Sequence, residues 1–294
     1  MDRVDVGKVT ICFDLLGRDG DPVFVLIAGL SRQLIGWDDA FCGLLVDRGF
    51  RVLRFDNRDA GLSTSIEGGP PFDLAAARRG GRAAVAYALE DMADDAAGLL
   101  DALDIAGAHV AGTSMGGMIG QTLAIRHPTR VLSLCSIMSM TGADDVGRPT
   151  PEAMAVLMKR PPRSREEYLD TELANQRIIG SKGALVDEAW RRQRFERFYD
   201  RGLNPEGTAR QMMAIVASGD RTAALSSVHV PTLVIHGDAD TLVPLDGGEA
   251  TARAIPGARL MVVPDMGHEL PPAVWAEVVD AMVANATATG RDSR

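Results

Sequence analysis

The sequence predicts an α/β fold: a doubly wound, mostly parallel sheet with helices on both faces and a helical insertion. Three observations predict it. Short continuous apolar runs of the kind a strand covered on both faces requires recur along the chain. Stretches with apolar residues at helical spacing fall between them. The alternation stops after Met140 and resumes at Thr232.

In order, Val9 to Leu16 reads as an opening strand, and Val23 to Ile27 as a short buried one. Trp37, Phe41, Leu44 and Leu45 stand at helical spacing before the next strand, Arg51 to Phe55. A loop rich in glycine and proline (Glu67 to Phe72) leads to a helix over about Ala84 to Leu103. A strand over Ala108 to Ala111, a helix over Met115 to Arg126 and a strand over Val131 to Met138 follow. Residues 141–221 are charged, punctuated by prolines and helical where periodic, as in Glu166 to Ile179 and Leu185 to Tyr199. They form a helical cap inserted between the sixth and seventh strands, flanked by core segments 1–140 and 222–294. Strands at Thr232 to His236 and Arg259 to Val263 are each followed by a helix, the last over about Pro272 to Ala286, and Gly290 to Arg294 reads as a frayed tail.

Composition excludes several classes. A net charge of −9 argues against a nucleic-acid surface, and no apolar run approaches the roughly 18 residues of a membrane span. The charged N-terminus lacks the apolar stretch of a secretory signal, so the protein is expected to be soluble and cytoplasmic. Cys12, Cys42 and Cys135 are too few and too scattered for a disulfide framework or a zinc site and read as buried thiols. The glycines at 112, 116, 117 and 120 do not follow the dinucleotide-binding order, so no cofactor is expected.

Residues Gly112-Thr113-Ser114-Met115-Gly116 complete G-x-S-x-G between a strand and a helix. In that context the serine sits on a strained turn, and a β-carbon at either flanking glycine would crowd the backbone. A serine nucleophile needs a base, and the base needs a group that holds its tautomer. Of the five histidines, His109 lies within a strand, His127 ends a helix, His229 lies in a connection and His236 ends a strand. His268 stands in a loop past the last strand, where carboxyl ends of a parallel sheet place catalytic groups. Two carboxylates follow the preceding strand; Asp238 is placed to structure its own turn, and Asp240 is favoured to reach the base. The oxyanion donors are expected at the N–H of Met115, beside the nucleophile, and of Leu30, after Ala28-Gly29. The polar run Asp56 to Ser63 reads as a loop holding the open end of the sheet together, and the methionines around the insertion as core filling or the wall of an apolar pocket.

With Ser114, Asp240 and His268 in these positions, the chain resembles the α/β-hydrolases over almost its whole length. Asp56-Asn57-Arg58, His127-Pro128, His236-Gly237-Asp238-Ala239-Asp240 and Gly267-His268 have counterparts there. The resemblance is to lid-bearing esterases similar to aclacinomycin methylesterase, and it implies an eight-stranded sheet with a helical cap after the sixth strand. Where that family has His-Gly before its oxyanion donor, this chain has Ala28-Gly29, which keeps the N–H but changes the loop's anchor. The expected activity is cofactor-independent hydrolysis of a small apolar or polyketide-like ester. Carbon–carbon bond hydrolases and perhydrolases share the triad, and a binding protein that has lost its chemistry is the reading from outside the enzymes.

Overall fold

Alternation within the run Val23–Ile27 explains how the sheet is clad on both sides. Val23, Val25 and Ile27 pack into one apolar cluster, and Phe24 and Leu26 into another on the opposite face. All five are buried. At about 2 kcal/mol for each such side chain taken out of water, burial is the main force holding helices to this strand.

The structure is a computed structural model that describes residues 1–288. Its strands are β1 (Asp2–Val6), β2 (Val9–Leu16), β3 (Val23–Ile27), β4 (Arg51–Phe55), β5 (Ala108–Thr113), β6 (Val131–Ile137), β7 (Thr232–Gly237) and β8 (Arg259–Val263). They form one eight-stranded sheet in the order β1-β2-β4-β3-β5-β6-β7-β8. Strand β2 runs antiparallel to both β1 and β4, and all other pairings are parallel. The helices are α1 (Asp39–Val46), α2 (Leu74–Gly80), α3 (Leu89–Ala102), α4 (Met115–Arg126), α5 (Pro151–Leu157), α6 (Arg165–Ile179), α7 (Glu188–Arg201), α8 (Pro205–Ser218), α9 (Thr222–Leu225), α10 (Leu245–Ala254) and α11 (Trp275–Thr287). Apolar residues of α3 and α4 cover one face of the sheet, and those of α1 and α11 cover the other.

Outside the helical insertion, where α5, α8 and α9 join the two stretches read individually, the structure adds one strand, β1, and one helix, α2. Strand β1 pairs with β2 from Asp2↔Phe13 to Val6↔Val9, but it lies at the sheet edge and buries only Val6, so it lacks an apolar run. Two helix starts also move inward. The helix expected from Ala84 begins at Leu89, where the Asp91 carboxylate accepts the Ala88 N–H, and the one expected from Leu185 begins after Asp187, which caps the Trp190 N–H. The tail from Gly290 to Arg294 lies outside the described residues. Among the described residues no helix is long and apolar enough to cross a membrane, and the three cysteines are buried and free.

Between β6 and β7 the described chain is helical, from α5 to α9, with no strand. Part of this insertion has its own apolar contacts: Tyr168, Leu169 and Leu173 of α6 and Phe195 and Phe198 of α7 pack on Leu34 and Ile35 of the loop after β3. Two ion pairs reach it from the loop after β4. Arg201 of α7 grips both oxygens of Asp56 at 2.9 and 2.7 Å, and Arg210 of α8 grips both oxygens of Asp59 at 2.8 Å each. Asp56 also accepts the Leu34 and Leu62 N–H groups, while Asp59 accepts the Tyr87 hydroxyl and the Ile66 N–H. The polar run therefore holds down the insertion as well as the end of the sheet.

Burial pushes the Asp59 carboxyl up, but the bonds from Arg210, Tyr87 and Ile66 outweigh it and hold its pKa below the ordinary value. A carboxyl depressed in this way adds stability above the ordinary carboxylate pKa of about 4, and loses it as pH falls through the lower folded value. Arg210→Ala is expected to lower the unfolding free energy by about 3 kcal/mol at pH 7, because it leaves the buried carboxylate without its cation. Urea titrations at pH 7 and pH 3 check this: the deficit narrows in acid, and an equal deficit at both pH values would contradict the role given to Asp59.

Candidate active site

The strand-to-helix turn at Ser114 has a backbone that side chains rarely adopt, with φ 55° and ψ −119°. Its neighbours explain how that strain is held. A β-carbon on Gly112 would run into the backbone of Gly116 and Gly117, and one on Gly116 would run into the carbonyl of Ile27 in β3. The turn is also tied from outside: the Ser114 N–H donates to the Ile137 carbonyl at 2.9 Å, and the Ser139 hydroxyl donates to the Ser114 carbonyl at 2.8 Å. The turn is thus pinned by β3, β6 and the loop that follows β6.

Ser114, His268 and Asp240 come together although they are far apart in the chain. His268 Nε2 lies 3.0 Å from Ser114 Oγ, and His268 Nδ1 lies 2.7 Å from Asp240 Oδ2. An ionised carboxylate only accepts, so the proton on this imidazole sits on Nδ1 and Nε2 is free to accept from the serine hydroxyl. The other Asp240 oxygen accepts the N–H groups of Leu242 and Val243, both at 2.9 Å, which fixes the carboxylate in its turn. Asp238 points away and accepts the Asp265 N–H at 2.7 Å, so it links the two loops rather than bonding within its own turn.

The other histidines have different surroundings. His109 is buried, 2.9 Å from the Ser133 hydroxyl and packed against Phe24 and Phe50; burial lowers its pKa to about 4. His127, at the end of α4, is hydrogen-bonded through Nε2 to Asp94 Oδ1 at 2.7 Å, and His229 is exposed. His236 is a buried neighbour of the acid, 3.8 Å from Asp240, but its Nε2 donates to the Val243 carbonyl at 2.7 Å and burial lowers its pKa, so it stays neutral.

The loop after β3 touches the serine directly: a β-carbon on Gly29 would lie 3.3 Å from Ser114 Cβ. Among the described residues, neither the Leu30 N–H nor the Met115 N–H is used in a hydrogen bond to the protein, and Met115 is the first residue of α4, where no helical carbonyl is available. Two side chains hold the loop. Asn57 donates to the Ala28 carbonyl at 3.0 Å, and Gln211 of α8 accepts the Ser31 N–H at 2.9 Å. The insertion methionines divide: Met212 and Met213 are buried, whereas Met154 and Met158 are exposed and fill no core.

The loop that carries His268 is bound to the insertion just as closely. The His268 N–H donates to the Ile179 carbonyl at 2.6 Å, the Gly267 N–H to the Ser181 hydroxyl at 3.1 Å, and the Lys182 N–H to the Asp265 carbonyl at 2.9 Å. Glu269, next to the base, accepts from Arg191 of α7 at 2.5 and 3.1 Å and from the Ser181 N–H at 2.9 Å. Both side chains of this pair are almost fully buried, at 3% and 1% exposed. No local pattern in the sequence marked Arg191 or Glu269; a buried acid beside the base could only have been matched to an arginine of the insertion by knowing the fold.

The fold defines the class of protein. A family model described as the alpha/beta hydrolase fold matches residues 22–271, and the chain belongs to that family. It is 30% identical to the rhodomycin D methylesterase DnrP of Streptomyces peucetius and 29% identical to DauP, described likewise, of Streptomyces sp. (strain C5), in each case over 96% of both chains. Among solved structures, the enol-lactonase from Burkholderia xenovorans LB400 is similar with a TM-score of 0.75 and 24% identity, over 97% of this chain and 100% of that one. That likeness concerns the fold.

Glu269→Ala leaves a buried guanidinium without its counter-charge and is expected to cost about 3 kcal/mol of stability. Adding Arg191→Met removes the stranded charge, so the double variant should regain most of the loss in chemical denaturation. A double variant no more stable than Glu269→Ala would show that the pair is not what holds this loop.

Proposed function

We propose that the protein is a serine esterase that cleaves a carboxylic ester of a small apolar or polyketide-like substrate through an acyl-enzyme intermediate. The observation that carries this reading is the continuous hydrogen-bonded relay Ser114–His268–Asp240 beneath a strained turn. Methylesterase relatives that match the chain over nearly its full length support the ester as the bond broken.

In the first half-reaction Ser114 Oγ attacks the ester carbonyl carbon while its proton passes to His268 Nε2. Asp240 holds Nδ1–H and stabilises the imidazolium that forms. The negative charge gathering on the carbonyl oxygen is met by the N–H groups of Leu30 and Met115, each such donor being worth about 3 kcal/mol in the transition state. Collapse breaks the bond to the alkoxy oxygen, which leaves as the alcohol with the proton from His268. In the second half-reaction water gives a proton to the same Nε2 and attacks the acyl carbon, and the acid departs as Ser114 regains its proton. The segment 141–221 serves as a cap that walls the pocket above the 1–140 and 222–294 core and sets the acyl or alcohol preference.

A fluorophosphonate probe is expected to label the protein at Ser114 alone. On a p-nitrophenyl ester, Ser114→Ala and His268→Ala should each lower kcat by about 10⁴-fold or more, and Asp240→Asn by about 10⁴-fold with little change in KM. Folded protein that takes no label, or Ser114→Ala with turnover intact, would rule out the serine mechanism.

A further inference from the structure

Four arginines of α7 pack toward the rest of the protein, and three of them have carboxylate partners: Arg191 has Glu269, Arg197 has Asp38 and Asp39, and Arg201 has Asp56. Arg194 is the exception. Among the described residues its guanidinium makes no hydrogen bond and no ion pair, and its Nε is buried without an acceptor. It lies instead over aromatic rings, its Cζ 5.1 Å from the centre of Trp190 and 5.4 Å from that of Phe198. Such stacking recovers less than the desolvation of a guanidinium costs.

Among the described residues, the carboxylates whose fields reach Arg194 are already held by other groups. Glu269 is held by Arg191 and the Ser181 N–H, and Asp38 by the Ala40 N–H and Arg197. The nearest charged side chain of the neighbouring loop makes matters worse: Arg32 lies 5.4 Å over the same Phe198 ring and is itself a cation, its own partner being Glu172 at 2.9 Å. Burial and then Arg32 hold the Arg194 pKa down to about 10, which still leaves it charged at neutral pH. Arg221 makes the contrast clear. It too is buried, lacks a carboxylate and has a pKa lowered to about 10, but it donates to the oxygens of Gln121, Gly219 and Met140. Arg194 has no such acceptors.

The uncompensated charge lies among residues that are near neighbours, along the chain, of the groups around Ser114. Arg32 is in the loop after β3, two residues beyond Leu30, and its N–H donates to the Gly29 carbonyl at 3.1 Å. Glu269, whose field also reaches Arg194, directly follows His268. Arg194 is partly exposed as a residue, while its Nε is buried.

We infer that Arg194, with Arg32 beside it, binds a substrate carboxylate, so that the preferred substrate is an ester carrying a free acid group remote from the bond that is cleaved. A planar carboxylate satisfies the fork of a guanidinium with two parallel hydrogen bonds and supplies the charge this helix lacks. The fate of the ester rests on the serine-esterase reading; the anion site does not.

The probes are monomethyl esters of the straight-chain diacids from succinate to suberate, each compared with its dimethyl ester. In the native protein kcat/KM is expected to favour the monoester at least tenfold at the best chain length, with the preference falling as salt rises. Arg194→Gln should bring that ratio close to one, and Arg194→Lys should keep part of it; where the glutamine variant does not fold, Arg194→Met, which preserves the stem over Trp190, gives the same readout. Calorimetric titration of Ser114→Ala protein measures binding without turnover and should show the same preference, lost when Arg194→Gln is added. Equal treatment of mono- and diesters at every length, or an unchanged ratio in the Arg194 variants, overturns the inference. Native protein that hydrolyses neither ester, while the Ser114→Ala form still prefers the monoester through Arg194, would instead sink the esterase reading and leave the anion site standing.

Discussion

The buried ion pair between Arg191 and Glu269 decides how the two halves of the molecule meet. It joins helix α7 of the insertion to the residue next to His268, and around it the backbone of Ile179 to Lys182 bonds to the backbone of Asp265 to His268. A buried pair is a poor source of net stability, since an apolar pair of the same size often does as well. What it supplies is direction, because a fork-shaped donor and a planar carboxylate fit in few relative orientations. On the opposite side Asp56 and Asp59 do the same for the far end of α7 and for α8. Apolar burial holds the sheet and its helices together, and these three pairs set the position of the insertion on them.

The relay is assembled from parts fixed in different ways. Ser114 is held by crowding: the backbone of β3 fills the space where a side chain at Gly116 would stand. Asp240 is held by the N–H groups of its own turn. His268 is held by Asp240 and Ser114 at its two ring nitrogens, and its backbone by the insertion, whose Ile179 and Gly180 fill the space where a side chain at Gly267 would stand. His268 is therefore the member of the hydrogen-bonded relay whose position depends most on a segment outside the sheet.

Much of this was legible in the sequence, and the limits have a physical pattern. Strands covered on both faces, such as Val23 to Ile27, appear as continuous apolar runs; β1, covered on one edge only, does not. Helix interiors were visible through their period, whereas the starts of α3 and α7 were set by capping carboxylates on Asp91 and Asp187, which outweigh the apolar pattern upstream. Ser114, Asp240 and His268 could be picked out because each lies in a short motif at the end of a strand. Glu269 and Arg191 are 78 positions apart and Ser31 and Gln211 are 180 apart, and no local spacing rule links such pairs. The reading of the loop at Asp56 to Ser63 as a clasp on the sheet was too narrow for the same reason, since its arginine partners lie in the insertion.

The seam between α6 and the catalytic loops bears on how this architecture diversifies. The Ile178 carbonyl receives the Thr241 hydroxyl beside the acid, and the next carbonyl, of Ile179, receives the His268 N–H. Two consecutive peptide groups of the insertion thus serve the Asp240 loop and the His268 loop together. An insertion joined in this way is no interchangeable cassette: transplanting another in its place would remove the struts that hold the His268 loop. Variation is then left to the side chains of the insertion, while the path of the backbone past Ile178 and Ile179 stays fixed.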